Sequence, residues 1–135
     1  MNTKHYAKMT LLIVMLAGST ACSGPFMMFP GGALVGPEQS ITQLNLPAGQ
    51  SVVQLETNPQ DPYSIHTNIF QIDGTLYLDP APTRTWYEYL TLSPMVRIKT
   101  NSSDIVYTAQ AIAVTDPAIT GQFEAERKVF MLLPR

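Results

Sequence analysis

Residues 63–78 read YSIHTNIFQIDGTLYL, and their alternation decides what kind of fold the chain can adopt. Two runs rich in Ile, Thr, Phe and Tyr flank Asp73-Gly74. Such a pair around Asp-Gly is the strongest short hairpin signal, because a type I′ turn needs positive φ at both central positions. A two-residue loop fixes the register, so Ile72 faces Thr75 and Phe70 faces Tyr77. His66, Asn68, Phe70 and Ile72 then share one face with Tyr77 and Asp79, while Ile65, Thr67, Ile69, Leu76 and Leu78 share the other. The aliphatic face is the expected core side.

The same period of two extends in both directions from this hairpin. Upstream, SVVQLET (51–57) sets Val53, Leu55 and Thr57 against Val52, Gln54 and Glu56, the pattern of a strand with one buried face, before Pro59 and Pro62 interrupt it. Downstream, Pro80 and Pro82 end the hairpin, Thr83 and Thr85 are candidate N-caps, and Trp86–Leu90 is expected as a short helix closed by Ser93-Pro94. A second hairpin follows: Val96 and Ile98 alternate with Arg97 and Lys99, TNSSD turns, and residues 105–114 return. Asp116-Pro117 then opens a predicted helix over 118 to about 132, with Asp as cap, Ile119, Phe123 and Phe130 as packing residues and Gly121 as its weak point. Tyr63, Tyr87, Tyr89 and Tyr107 are expected in cores and rims.

Ahead of the strands the composition changes. SGPFMMFPGGALVGPEQS, from Ser23, is rich in Gly and Pro, so residues 22–50 are expected as a flexible tether and 51–135 as the folded domain. Within the tether the cluster Phe26, Met27, Met28, Phe29 has two readings: dipping into a membrane surface, or folding back over the barrel. The second is preferred because large apolar patches seldom stay exposed.

Residues 1–21 carry Lys4 and Lys8, the apolar block MTLLIVMLAG, and small residues up to Ala21, the three-part layout of a secretory signal. The block falls short of the roughly 20 apolar residues that a membrane-spanning helix needs. Cys22 is the only cysteine, and the two histidines, His5 and His66, lie far from it in function or in sequence. A disulfide within the chain is excluded. Without the signal the chain keeps six Lys and Arg against ten Asp and Glu, mildly acidic and without the basic run that nucleic acid attracts. No spacing of His, Cys and carboxylates suggests a metal, and none is expected.

Two resemblances sharpen these readings. The run Ser19-Thr20-Ala21-Cys22 resembles a bacterial lipoprotein box, which implies a diacylglyceryl group on the Cys22 sulfur and a third acyl chain on the new amino terminus. Several chains together give a lasting anchor where one alone binds reversibly. Ser23 stands where an Asp would favour the inner membrane, so the resemblance implies the outer membrane and a domain facing the periplasm. The alternative is plain secretion with Cys22 as a spare residue.

The second lies in the order of Asp73-Gly74-Thr75-Leu76-Tyr77, the Trp-Tyr-x-x-Leu of 86–90, Ser93-Pro94-x-Val96-Arg97-Ile98 and Ala113-Val114-Thr115-Asp116. Over roughly residues 52–132 this resembles the FMN-binding split-barrel family, similar to pyridoxamine-phosphate oxidases and deazaflavin-dependent nitroreductase-like proteins. It implies a compact, mainly β split barrel with short helices and a C-terminal helix. It also implies a homodimer with FMN at its interface and the phosphate near Thr83, Arg84 and Thr85, where a helix N-terminus and an Arg both favour an anion. Trp86 either stacks on a flat ring or fills the barrel mouth, and packing is the preferred reading. His66 is read as structural before catalytic, and Arg97 and Lys99 as solvated edge charges before phosphate ligands. Two functions follow: a lipid-anchored module that binds a small ligand or partner without catalysis, or a flavin-binding oxidoreductase.

Overall fold

The computed structural model describes residues 23–135; the expected signal, residues 1–21, and the expected lipid site, Cys22, lie outside the described residues. The strands are β1 (Glu38–Ser40), β2 (Gly49–Thr57), β3 (Tyr63–Ile72), β4 (Thr75–Leu78), β5 (Met95–Lys99), β6 (Val106–Ala113) and β7 (Phe130–Leu133). Two short helices interrupt them, α1 (Thr85–Leu92) and α2 (Pro117–Thr120).

Antiparallel pairing runs β6-β5-β2-β3-β4-β7 and returns from β7 to β6, so six strands close into a barrel. The class is the mainly β one that the alternation anticipates, and the closed barrel with short helices is what the split-barrel resemblance implies. The 63–78 hairpin has the anticipated register, Phe70 opposite Tyr77 and Ile72 opposite Thr75. Asp73 and Gly74 both take positive φ, 49° and 80°, as a type I′ turn requires. Closure brings the inward positions together: Leu55 pairs with Ile98, Val96 with Ala109, and Leu78 with Phe130. These residues, with Val53, Ile69 and Leu132 and with Trp86 and Leu90 from α1, form one buried cluster. Ile41, in a single 3₁₀ turn over Ile41–Gln43, joins the same cluster.

The C-terminal region departs from the predicted helix over 118–132. Asp116 does cap through its side chain to the Ala118 N–H, but α2 ends at Thr120 with Gly121 as its C-cap. The residues after it become a covering loop and then β7. Phe123 in that loop sets its ring edge-on to Phe70, with centroids 5.2 Å apart, and thereby covers the outer face of β3. Phe130 and Leu132 point into the barrel instead of lying on a helix face. The run FEAERKVFMLL is composed of good helix formers, and the unpaired edges of β4 and β6 outweigh that preference.

The described part of the expected tether, residues 23–50, is also packed on the barrel. β1 runs parallel to β6, pairing Glu38 with Val106 and Ser40 with Thr108, and Leu34 and Ile41 are buried. Gly31 exchanges both backbone hydrogen bonds with Ser64 of β3, at 2.8 and 2.9 Å. This strap crosses the outer side of the β2–β3–β5 wall and buries residues whose alternation alone would leave them in water. Glu56 and Arg97, cross-strand neighbours on that outer face, are the clearest case. Arg97 Nη1 donates to Glu56 Oε1 and to the Leu34 carbonyl, both at 2.8 Å, and its Nη2 lies 2.9 Å from Glu38 Oε1. Glu56 Oε1 in turn accepts the Leu34 N–H at 2.7 Å. Lys99 donates to the Val35 carbonyl at 3.0 Å. Arg97 and Lys99 therefore clamp the strap, correcting the expectation that they are solvated edge charges.

The apolar cluster departs from its preferred reading too. Phe26 and Phe29 close a tight turn with two backbone hydrogen bonds, of 3.1 and 2.8 Å, and Met27 sits at φ 53°. All four residues remain largely exposed.

Candidate anion-binding cleft

β3 forms one wall of a cleft of about 560 Å³, through His66 and Asn68 of its outer face and Ile65 and Thr67 of the other. The opposite wall is the β4–α1 connection, Thr83, Arg84, Thr85 and Trp86, and Arg127 from the covering loop completes it. The four residues implied as cofactor contacts thus line one continuous depression.

Their individual settings differ. Arg84 is the N-cap residue of α1 and makes no side-chain cap. Its guanidinium is exposed, with no hydrogen bond or ion pair to the described residues. Thr83 and Thr85, expected as caps, do not cap: Thr85 is already the first helical residue. The first N–H groups of α1 are left without side-chain partners beside Arg84, an arrangement that favours negative charge. Trp86 lies in the barrel core with 7% of its surface exposed, which accords with packing, its preferred reading, and only that small exposed part borders the cleft. Helix burial explains this: Trp86 and Leu90, four residues apart, form the apolar stripe of α1.

Residues that the sequence did not assign to the cleft also line it, Arg127 and Met27 among them. Arg127 donates to the Asp79 carbonyl at 3.3 Å and lies 3.5 Å from Glu124, so its charge is only partly balanced. Burial raises the Asp79 carboxyl above its ordinary value of 3.8, against the lowering influence of Arg127, with Glu124 raising it further. The Met27 carbonyl lies 3.2 Å from His66 Nδ1. A carbonyl only accepts, so Nδ1 donates, and Nε2 is left for another partner. His66 therefore holds the apolar turn at the rim, where Met27 and Met28 line the cleft. No motif marks Arg127 as a cleft residue; only the folding back of the covering loop brings it there.

Among the described residues no group of three His, Cys, Asp or Glu side chains is placed to hold a metal ion. No described helix is long and apolar enough to cross a membrane. For a flavin mononucleotide the fit is divided: Arg84, Arg127 and the helix N-terminus suit a phosphate, whereas Trp86, though it lines the cleft, has little ring surface free of the core to offer a flavin.

No protein-family model matches the chain, and no curated protein matches it. Among solved structures it is similar in fold to a pyridoxamine 5′-phosphate oxidase-like protein from Listeria innocua. The identity is 16%, the match covers 62% of this chain and 83% of that one, and the TM-score is 0.49.

Proposed function

We propose that this chain is an envelope lipoprotein, anchored in the outer membrane through acyl chains on Cys22, whose barrel binds a small anionic ligand on its periplasmic side. The observation that carries the binding role is the convergence of Arg84, the uncapped start of α1, Arg127 and His66 on a single cleft. A free guanidinium beside unpaired backbone N–H groups offers forked donors and a partial positive charge to phosphate or carboxylate oxygens. The anchor rests on the signal layout and on Cys22 in its lipoprotein-like context.

The second reading, a flavin-dependent oxidoreductase, draws on the split-barrel form of the domain and on the same phosphate-compatible end of the cleft. In that case Thr83, Arg84 and Thr85 would hold the phosphate, and the bound flavin would supply the redox chemistry. A homodimer belongs to this reading as well.

Titration of the purified full-length protein with inorganic phosphate and with FMN separates the two. Ligand binding is expected to weaken at least tenfold in Arg84→Ala, since charge-assisted hydrogen bonds contribute about 1.5–3 kcal/mol each. Saturable FMN binding with a perturbed flavin absorption band selects the oxidoreductase. Anion binding without FMN uptake selects the binding module, and failure of both ligands overturns the cleft assignment. The anchor is tested independently: a fatty-acid analogue should label the native chain and leave Cys22→Ala unlabelled.

A further inference from the structure

We propose that the exposed turn Phe26–Phe29 is a membrane-inserting wedge that holds the mouth of the cleft against the lipid headgroups. This rests on the lipid anchor at Cys22 and adds an orientation that an anchor alone does not supply.

The first observation is the exposure of the turn. Phe26, Met27, Met28 and Phe29 are 66%, 70%, 95% and 68% exposed, four large apolar side chains at consecutive positions on a domain with a well-filled core. Their exposure is built in, not a loose end. The turn is closed by its own two backbone hydrogen bonds, and its stem is fixed to the barrel wall through Gly31–Ser64. The Gly32 N–H also donates to the Ser23 carbonyl at 2.7 Å. Gly31 lets the two arms of the stem pass closely, because a Cβ there would run into the Gly24 carbonyl group and Pro25 N.

The second observation is reach. Phe26 is four residues after Cys22, and an extended chain covers at most about 3.6 Å per residue. A lipid on Cys22 thus confines the turn to within roughly 14 Å of the acyl chains. Residues 23–37 contain no Asp, Glu, Lys or Arg, so no charge of the stem opposes entry into the interface. The charged residues that line the cleft whose rim is Met27 and Met28 are both arginines, Arg84 without an ion pair among the described residues and Arg127 3.5 Å from Glu124. Apolar side chains flanked by guanidinium groups match a bilayer interface, with acyl chains below and phosphates at the level of the cations. The occupant of this surface is therefore the bilayer to which the chain is tethered.

The test uses the full lipoprotein reconstituted in vesicles of phosphatidylethanolamine and phosphatidylglycerol. Met28→Trp places a reporter at the tip, while the native Trp86 is shielded in the core. The introduced indole is expected to shift to the blue on reconstitution and to be quenched by lipids brominated near the top of the acyl chain. Emission that stays water-like and is quenched by iodide instead overturns the proposal. Mass analysis of the amino-terminal peptide in the same sample shows whether Cys22 is acylated, so loss of the anchor is read separately from loss of the wedge. In the unacylated Cys22→Ser protein, vesicle co-sedimentation is expected to fall at least tenfold when Phe26→Ser and Met28→Ser are added, with the thermal midpoint unchanged. Equal co-sedimentation, or a dimer in solution that these serines dissociate, gives the surface to another occupant and overturns the wedge.

Discussion

Arg97 and Glu56 show how much a single pair can organise. Alternation places both on the outer, watery side of the sheet, and by that rule each is a surface charge. The strap changes their surroundings, leaving the Glu56 side chain 5% exposed with Arg97 and the Leu34 N–H as its partners. Arg97→Ala is expected to cost about 3–5 kcal/mol in urea denaturation, because it strands a buried carboxylate. Replacing both partners by Arg97→Met and Glu56→Leu should recover more than half of that loss, since no buried charge then remains unpaired. Asp79 behaves oppositely with pH. Its folded value is raised by burial, so the ionised carboxylate disfavours the native state above that value, and the penalty is relieved as pH falls toward 3.8. Asp79→Asn is therefore expected to stabilise the protein at neutral pH relative to acid. Denaturation midpoints measured from neutral pH down to 4 should converge with those of the native chain as the pH falls.

At the scale of elements, the legible parts were those set by local chemistry. Asp73-Gly74 fixed the β3–β4 register because positive φ at two adjacent positions leaves few turns to choose from, and both φ values are positive in the structure. Gly74→Ala is expected to destabilise the protein by about 1–2 kcal/mol, read as a lower thermal midpoint without change of fold. Helix α1 was legible from its Trp86–Leu90 stripe and from Ser93-Pro94 beyond it. Two elements were misread for one reason. β7 is written in helix-forming residues, and β1 in only three residues, Glu38–Ser40, behind a Gly- and Pro-rich approach. β1 becomes a strand because β6 offers it an edge, and β7 because β4 and β6 do, and those edges are a property of the assembled sheet. The cleft was half legible for the same cause: Thr83–Trp86 are contiguous in sequence, but Arg127 arrives by way of a loop whose course depends on β7.

The whole molecule joins these scales through its strap. The Gly- and Pro-rich segment that composition marks as a leash is instead the part that connects turn, clamp and barrel, so a pull on its amino end is passed through Gly31–Ser64 and Arg97–Glu56 into the β2–β3–β5 wall. The seam where β6 is met has a further consequence. One edge of β6 takes β1 along residues 106–108 and β7 along residues 110–113, so two segments about ninety positions apart share a single rail. During synthesis the barrel cannot close before β7 has been made, and a chain that ends between β6 and β7 leaves the β6 edge open at residues 110–113. A sheet that closes only with its last strand stays open to pairing with other chains until that strand is in place.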